Sequence, residues 1–248
     1  MRGGWVLVLA VASVLGACVH ERVAFQAGPD QQSITRDGQP AIVSRRKSSI
    51  VLVRAAAREF AAGARPVFVV GINNLTKQPL EFRVADIEAY QRAESSEAAL
   101  KVFTFEDLRT EERNRQVAAA ILTGLAAGAN AAAAANAGYY NANTTVYTPR
   151  GVYQAHTVGY SPAAAAVAQA NANMQNEAMI SATIERGQAN MVALERGVIK
   201  DNTLLPGEWY GGQVHIQPPE GSDQKSYRLV VVVGSDRHEI SIAQQPTR

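Results

Sequence analysis

Apolar and polar positions alternate in short runs at both ends of the chain and give way to long unbroken runs between them. Ile50 to Val53 is a β-branched run, and Pro66 to Ile72 is a second that stops at the turn pair Asn73-Asn74. Leu80, Phe82 and Val84 then alternate with Glu81 and Arg83, the period of a strand with one wet and one buried face, and Leu100 to Phe103 gives a fourth strand. The same grammar returns near the C-terminus. Pro206-Gly207-Glu208 leads into a strand in which Tyr210, Val214 and Ile216 alternate with Trp209, Gln213 and His215. Tyr227 to Val233 is a long apolar strand, Gly234-Ser235-Asp236 a tight turn, and Ile240 and Ile242 alternate with Glu239 and Ser241, so the last two strands should form a hairpin. Some seven short strands, divided between the two ends, predict a β-sandwich over 41–104 and 201–248 that both halves complete.

Between these halves the period changes. Thr104 followed by Asp107 is a capping pair that opens a helix at Phe105, and Ser161-Pro162 places an N-cap and a first-turn proline at the start of a second. Each helix runs over about thirty residues, or roughly 50 Å at 1.5 Å per residue. Two such helices in succession predict an antiparallel hairpin over 105–200, which returns the chain to the place it left. Ile180, Ile184, Gly187, Met191, Leu194 and Val198 on the second helix, and Val117, Ile121, Gly124, Gly128, Ala131 and Ala135 on the first, carry the alternating spacing of a coiled-coil seam. Farther out both helices are mostly Ala, Asn and Gly, which permit close backbone approach but bury little apolar area.

Charge sharpens the picture. Between Arg115 and Glu177 the only charged side chain is Arg150, and the link between the helices carries Tyr139, Tyr140, Tyr147, Tyr153 and Tyr160. Tyrosine combines an apolar ring with a polar tip and suits protein interfaces and headgroup zones alike. These five residues are the candidate interaction site, for a protein partner or another copy of the chain. A low-complexity loop flanked by helix-prone Ala is the alternative reading of the same composition, and membrane insertion is a third. Val117 to Ala135 is uncharged and long enough to span, with Gly124 and Gly128 as a small-residue contact motif, whereas Asn130 would need a partner in hydrocarbon.

The first residues suggest where the chain goes. Arg2 and the uncharged stretch Trp5 to Ala17 read as a secretory leader, too short at about 13 residues to match the ~20 of a transmembrane helix. Leu15-Gly16-Ala17-Cys18 resembles the bacterial lipobox, which implies removal of residues 1–17 and acylation of Cys18, the chain's single cysteine. Acyl chains at one terminus, each contributing about 0.8 kcal/mol per buried methylene, would hold the protein to lipid. Val19 is not the Asp that resembles an inner-membrane retention signal, so the expected location is the outer membrane, facing the periplasm. Residues 18–40 are polar, with Gly28-Pro29-Asp30 and Asp37-Gly38 as turn signals, and read as a lipidated tether or a loosely held first strand. With Cys18 on lipid, no intrachain disulfide can form.

The formal net charge of +2 falls further once Arg2 is removed, which argues against a nucleic-acid partner. Arg45-Arg46-Lys47 reads as the solvated start of a strand rather than a headgroup contact. No Gly-x-Ser-x-Gly elbow, His-Glu-x-x-His helix or phosphate-binding Gly loop is present. Of the four His residues, His20 and His156 fall in the tether and the inter-helix link, and His215 and His238 should point to opposite faces of their strands. Glu111-Glu112 reads as a surface ion-pair group with Arg115. The expectation is therefore a non-enzymatic protein with no cofactor and no metal.

Pro66-Val67-Phe68-Val69-Val70-Gly71-Ile72-Asn73-Asn74, Gln78-Pro79-Leu80-Glu81-Phe82 with Asp86-Ile87, and Leu205-Pro206-Gly207-Glu208 with Gly212-Gln213-Val214 together resemble the bacterial telokin-like, immunoglobulin-like extracellular domains. The resemblance covers about half of the mature chain. It implies an immunoglobulin-like sandwich and an extracytoplasmic setting, and carries no catalytic residues. The expected whole is mainly β with an α insertion: an outer-membrane lipoprotein serving as a structural or protein-interaction module through its helical hairpin. A membrane-active or pore-associated oligomer is the first alternative, and an envelope hydrolase or metal carrier using His215 or His238 the second.

Overall fold

A computed structural model describes residues 20–36, 38–92, 96–221 and 225–247. Cys18, the leader and Asp37 of the expected Asp37-Gly38 turn lie outside the described residues. The chain divides into two compact units, one made of the segments up to Thr104 and from Ile199 onward, the other of Phe105–Val198.

The first unit is built from strands β1 (His20–Gln26), β2 (Gln31–Arg36), β3 (Gln39–Arg45), β4 (Ser49–Ala55), β5 (Glu59–Ala61), β6 (Val67–Asn74), β7 (Leu80–Phe82), β8 (Ile87–Arg92), β9 (Glu97–Leu100) and β10 (Val102–Phe103) before the chain enters the second unit. The second unit holds α1 (Phe105–Asn136), β11 (Tyr139–Thr148), β12 (Gly151–Tyr160) and α2 (Pro162–Gly197). The first resumes with β13 (Asn202–Leu204), β14 (Trp209–Ile216), β15 (Lys225–Val233) and β16 (Asp236–Pro246). Two six-stranded sheets result, ordered β5-β1-β16-β15-β8-β9 and β10-β14-β6-β4-β3-β2, with β13 and β7 forming a small separate pair. The molecule is thus mainly β with two helices.

Alternation builds the core. Val51 and Val53 of β4, Phe68, Val70 and Ile72 of β6, and Val214 and Ile216 of β14 project from one sheet, and Tyr227, Leu229, Val231, Ile240 and Ile242 from the other, into one buried cluster. Phe68 and Tyr227 meet edge to face with ring centroids 6.0 Å apart, so the two inner faces touch directly. β15 and β16 form the expected hairpin, with Leu229 opposite Ile240 and Gly234 turning at φ +60°.

Of the two readings of residues 18–40, tether or first strand, residues 20–36 follow the second and form two strands. β1 pairs with β16 and with β5, and β2 pairs with β3. The alternation was hidden because an inward position of β1 is Glu21, buried with Lys225 at 2.7 Å and accepting also from Gln244, whose own amide oxygen accepts from the Tyr227 hydroxyl at 3.0 Å. A charge at a core position conceals a strand from any reading by polarity, and here it is tolerated because its partner is buried with it.

A second polar group joins the two sheets. His238 of β16 is fully buried; its Nδ1 lies 2.9 Å from Ser44 Oγ and its Nε2 2.8 Å from Ser49 Oγ, and Ser49 Oγ donates to Asp236 at 2.9 Å. At the end of β6, where Asn74 pairs with Ser49, the Asn73 side-chain amide donates to the carbonyls of Gly207 and Glu208 at 3.0 Å, and the Asn74 carbonyl accepts from Gly207 N at 2.8 Å. Gly207 adopts φ +74°, which explains the glycine of that turn.

Candidate functional site

The second unit starts where the sequence indicates. α1 opens at Phe105, and Ser161 caps α2 by accepting from Ala164 N at 3.3 Å with Pro162 in the first turn. The helices run antiparallel, since Gln116 lies against Gly187, Thr123 against Thr183 and Asn130 against Asn176.

Their seam differs from the expected one. The positions of α1 withdrawn from solvent include Glu112, Gln116, Ala119, Thr123, Ala127, Asn130 and Ala134, and those of α2 include Ala172, Asn176, Met179, Thr183, Gly187 and Asn190. The heptad spacing is present, but small and hydrogen-bonding residues occupy it. Gln116 Nε2 donates to Gly187 O at 2.9 Å, the Thr123 and Thr183 hydroxyls meet at 3.1 Å, and Asn130 Nδ2 donates to Asn176 Oδ1 at 3.0 Å. Asn176 Nδ2 in turn donates to Ala127 O at 3.1 Å. Glu112, expected on the surface, is buried in this seam and accepts from Arg115, Gln116 and Asn190.

Of the residues assigned to the seam, Ala131, Gly187, Met191, Leu194 and Val198 are withdrawn from solvent, and a Cβ on Gly187 would lie 3.0 Å from the Gln116 side chain. Gly124 and Gly128 are not, for a Cβ at either would meet nothing within 4 Å. Leu108 is buried and Met179, Met191 and Leu194 are half-buried, but most of the other large apolar residues point outward. Ile121 is 59% exposed and Ile184 54%, and Val117, Leu122, Leu125, Val167, Met174, Ile180 and Val192 are exposed with them. A rule that places the largest apolar residues between helices fails here because the pair is glued by side-chain amides, hydroxyls and close backbones instead.

The inter-helix link is not a loop. Tyr139–Thr148 and Gly151–Tyr160 form an antiparallel ribbon in continuous register from Tyr139 opposite Tyr160 to Thr148 opposite Gly151. The ladder carries on to the helix ends through Ser161 N donating to Gly138 O at 2.7 Å. Tyr, Thr and Val supply the strand preference. Pro149-Arg150 forms the turn; proline cannot take the positive φ of the primed hairpin turns, and Gly151 at φ +143° absorbs the reversal.

All five candidate tyrosines lie on this ribbon and all are exposed, from 49% at Tyr140 to 79% at Tyr147. The register divides them. One face carries Tyr139, Asn141, Asn143, Thr145 and Tyr147 opposite Tyr160, Val158, His156, Gln154 and Val152. The other carries Tyr140, Ala142, Thr144, Val146 and Thr148 opposite Gly159, Thr157, Ala155, Tyr153 and Gly151. The first is polar at its centre, where His156 Nδ1 and Asn143 Oδ1 lie 2.6 Å apart; the second has no amide, imidazole or charge. At its base the Tyr139 and Tyr160 rings meet at 5.0 Å, and the Tyr140 ring lies over Gly159, where an added Cβ would collide with it.

His215 and His238 belong to different sheets, His215 on β14 and His238 on β16. Among the described residues no three His, Cys, Asp or Glu side chains gather as metal ligands. The Ser49, His238 and Asp236 side chains are bonded together, but Asp236 holds the serine rather than the imidazole and the histidine is sealed from solvent, so the order that activates a nucleophile is missing. Burial drives the His238 imidazole down to about 4, and it stays neutral across the ordinary range. Arg46 pairs with Asp30 at 2.9 Å at the start of β4, with Arg45 and Lys47 exposed beside it. Comparison with family models, with curated proteins and with solved structures gives no match for this chain.

Proposed function

We propose that the protein is a non-enzymatic lipoprotein of the bacterial outer membrane, acylated at Cys18, whose second unit assembles with other copies of the chain. The single observation that carries this reading is the inverted apolar pattern of the helix pair. Over 116–130 and 176–187 small, hydroxyl and amide side chains fill the seam, Met179 apart, while Val117, Ile121, Leu125, Ile180 and Ile184 face outward. Exposed apolar stripes of this extent mark association surfaces. The first unit serves as an immunoglobulin-like support of the telokin type. The bonds from Asn73 and Asn74 to the Pro206-Gly207-Glu208 turn support that assignment, because they join the segments on which the sequence resemblance rests.

The test is the solution mass of the acylated protein in mild detergent, by light scattering and cross-linking. The wild type forms a defined oligomer, and Ile121→Glu with Ile184→Glu lowers its mass toward the monomer with unchanged helical circular dichroism. A wild type that stays monomeric at every concentration, in detergent and in liposomes, refutes the reading.

A further inference from the structure

We infer that the β11–β12 ribbon is a membrane-spanning element that each copy contributes to a shared β-barrel, its charge-free small-residue face toward lipid and its Asn, Gln and His face toward an aqueous lumen. The inference rests on the self-assembly proposed above and names the second partner of that same unit, the acyl chains of a bilayer.

Length supports it first. Each strand has ten residues. At about 3.3 Å per residue and a tilt near 40° it covers about 25 Å of thickness, the height of the apolar band of an outer-membrane barrel.

The pattern supports it independently. A soluble sheet is wet on one face and buried on the other, but every residue of this ribbon except Gly159 is exposed on both. Alternation nevertheless persists through the middle of the ribbon: Ala142, Thr144, Val146, Ala155 and Thr157 share one face, and Asn141, Asn143, Thr145, Gln154 and His156 the other, with Val152 and Val158 toward its ends. Tyrosines mark both ends of the ribbon, Tyr140 and Tyr153 on the lipid-side face and Tyr139, Tyr160 and Tyr147 on the other, at the heights where aromatic girdles lie in spanning strands. The one full charge, Arg150, is in the turn, where it can sit beyond the apolar band.

Hydrogen bonding then fixes the stoichiometry in kind. Among the described residues each strand has a single partner, so one edge of each lacks a ladder. Unpaired backbone groups are not tolerated in hydrocarbon, so the ribbon can cross only as part of a closed barrel. Two strands per copy give an even strand number, and the smallest known barrels of about eight strands require about four copies or more.

The competing element is α1, the one helix among the described residues long and apolar enough to cross a membrane. Its seam bonds to α2 tie the two together, and the part of α2 alongside it carries Glu177, Glu185 and Arg186. Inserting the helix pair would bring those charges into hydrocarbon, whereas inserting the ribbon brings none.

The experiment uses cysteine scanning of the acylated full chain. If Cys18 is acylated, no other thiol competes. Ala142→Cys, Thr144→Cys and Ala155→Cys are compared with Asn141→Cys, Asn143→Cys and Gln154→Cys in phosphatidylethanolamine/phosphatidylglycerol liposomes, with cross-linking of each variant in parallel. The second set should react with a charged, membrane-impermeant thiol reagent at least about tenfold faster than the first, which should instead take up an apolar maleimide. A Thr144→Arg variant should lose carboxyfluorescein release from the vesicles, and its neighbour Thr145→Arg should keep it. Equal reactivity of the two sets in a cross-linked oligomer overturns the spanning ribbon and leaves the assembly standing. Protection of both sets that persists in detergent overturns it in favour of a protein covering. Absence of any oligomer overturns both.

Discussion

Asp236 accepts from Ser49 Oγ at 2.9 Å and from Ser48 N at 2.7 Å, so the Ser49 oxygen is left to accept, and His238 must present an Nε2 proton to it. Nδ1 then takes the Ser44 hydroxyl proton. In this arrangement the neutral imidazole satisfies both serine hydroxyls. Its ionisation falls from the ordinary 6.5 to about 4 because burial penalises the charged form, against the weaker pull of Asp236. The sign follows from linkage. Between these values the unfolded chain binds a proton that the folded chain refuses, so stability is full above about 6.5 and declines as pH falls toward 4. At about 1.4 kcal/mol per unit the loss is on the order of 3 kcal/mol. Urea unfolding at pH 7 and pH 4 should show that decline in the wild type and a clearly smaller one in His238→Gln, which lacks the imidazole.

The helix pair shows how an element can keep its period and change its filling. Gly187 is held by contact with Gln116, whose amide bonds to the glycine's own carbonyl, so Gly187→Leu would force the helices apart at that level. Overpacking of this kind costs about 1–3 kcal/mol. Lower helicity on heating, with the β signal of the first unit unchanged, is the expected result by circular dichroism. The start of both helices and the strands β4, β6, β14, β15 and β16 were legible because caps, turns and apolar alternation act locally. The seam was legible only in part, at Ala131, Gly187, Met191, Leu194 and Val198, because a heptad reading ranks residues by size, and elsewhere in this pair Asn130, Thr123 and Gln116 outrank Ile121 through bonds that depend on what stands opposite. The ribbon was missed for another reason. Its Asn, Ala and Gly content resembles a loop, and a two-sided exposed strand lacks the apolar face that betrays ordinary strands. Thr144-Thr145-Val146-Tyr147-Thr148, Pro149-Arg150-Gly151 and Val152-Tyr153 nonetheless spell strand, turn and strand.

At the level of the whole chain, the first unit carries the buried cluster, whose residues lie outside Phe105–Val198. The points of departure and return are held by one strand. Phe103 pairs with His215 of β14, and Ile199 N donates to the carbonyl of Gln213, two residues earlier on that strand, at 3.0 Å. A few flexible residues can close so small a gap, and the entropy of closing a loop grows only slowly with its length. Excising residues 105–198 and joining Thr104 to Ile199 through a short Gly/Ser linker should therefore leave the thermal transition of the first unit within a few degrees of its place in the full chain. The loss of mass in solution should exceed the mass removed, because the assembly surface leaves with the segment. A shortened chain that unfolds would mean that the second unit supports the first, and one that keeps the parent's oligomeric state would move the assembly surface onto the sheets.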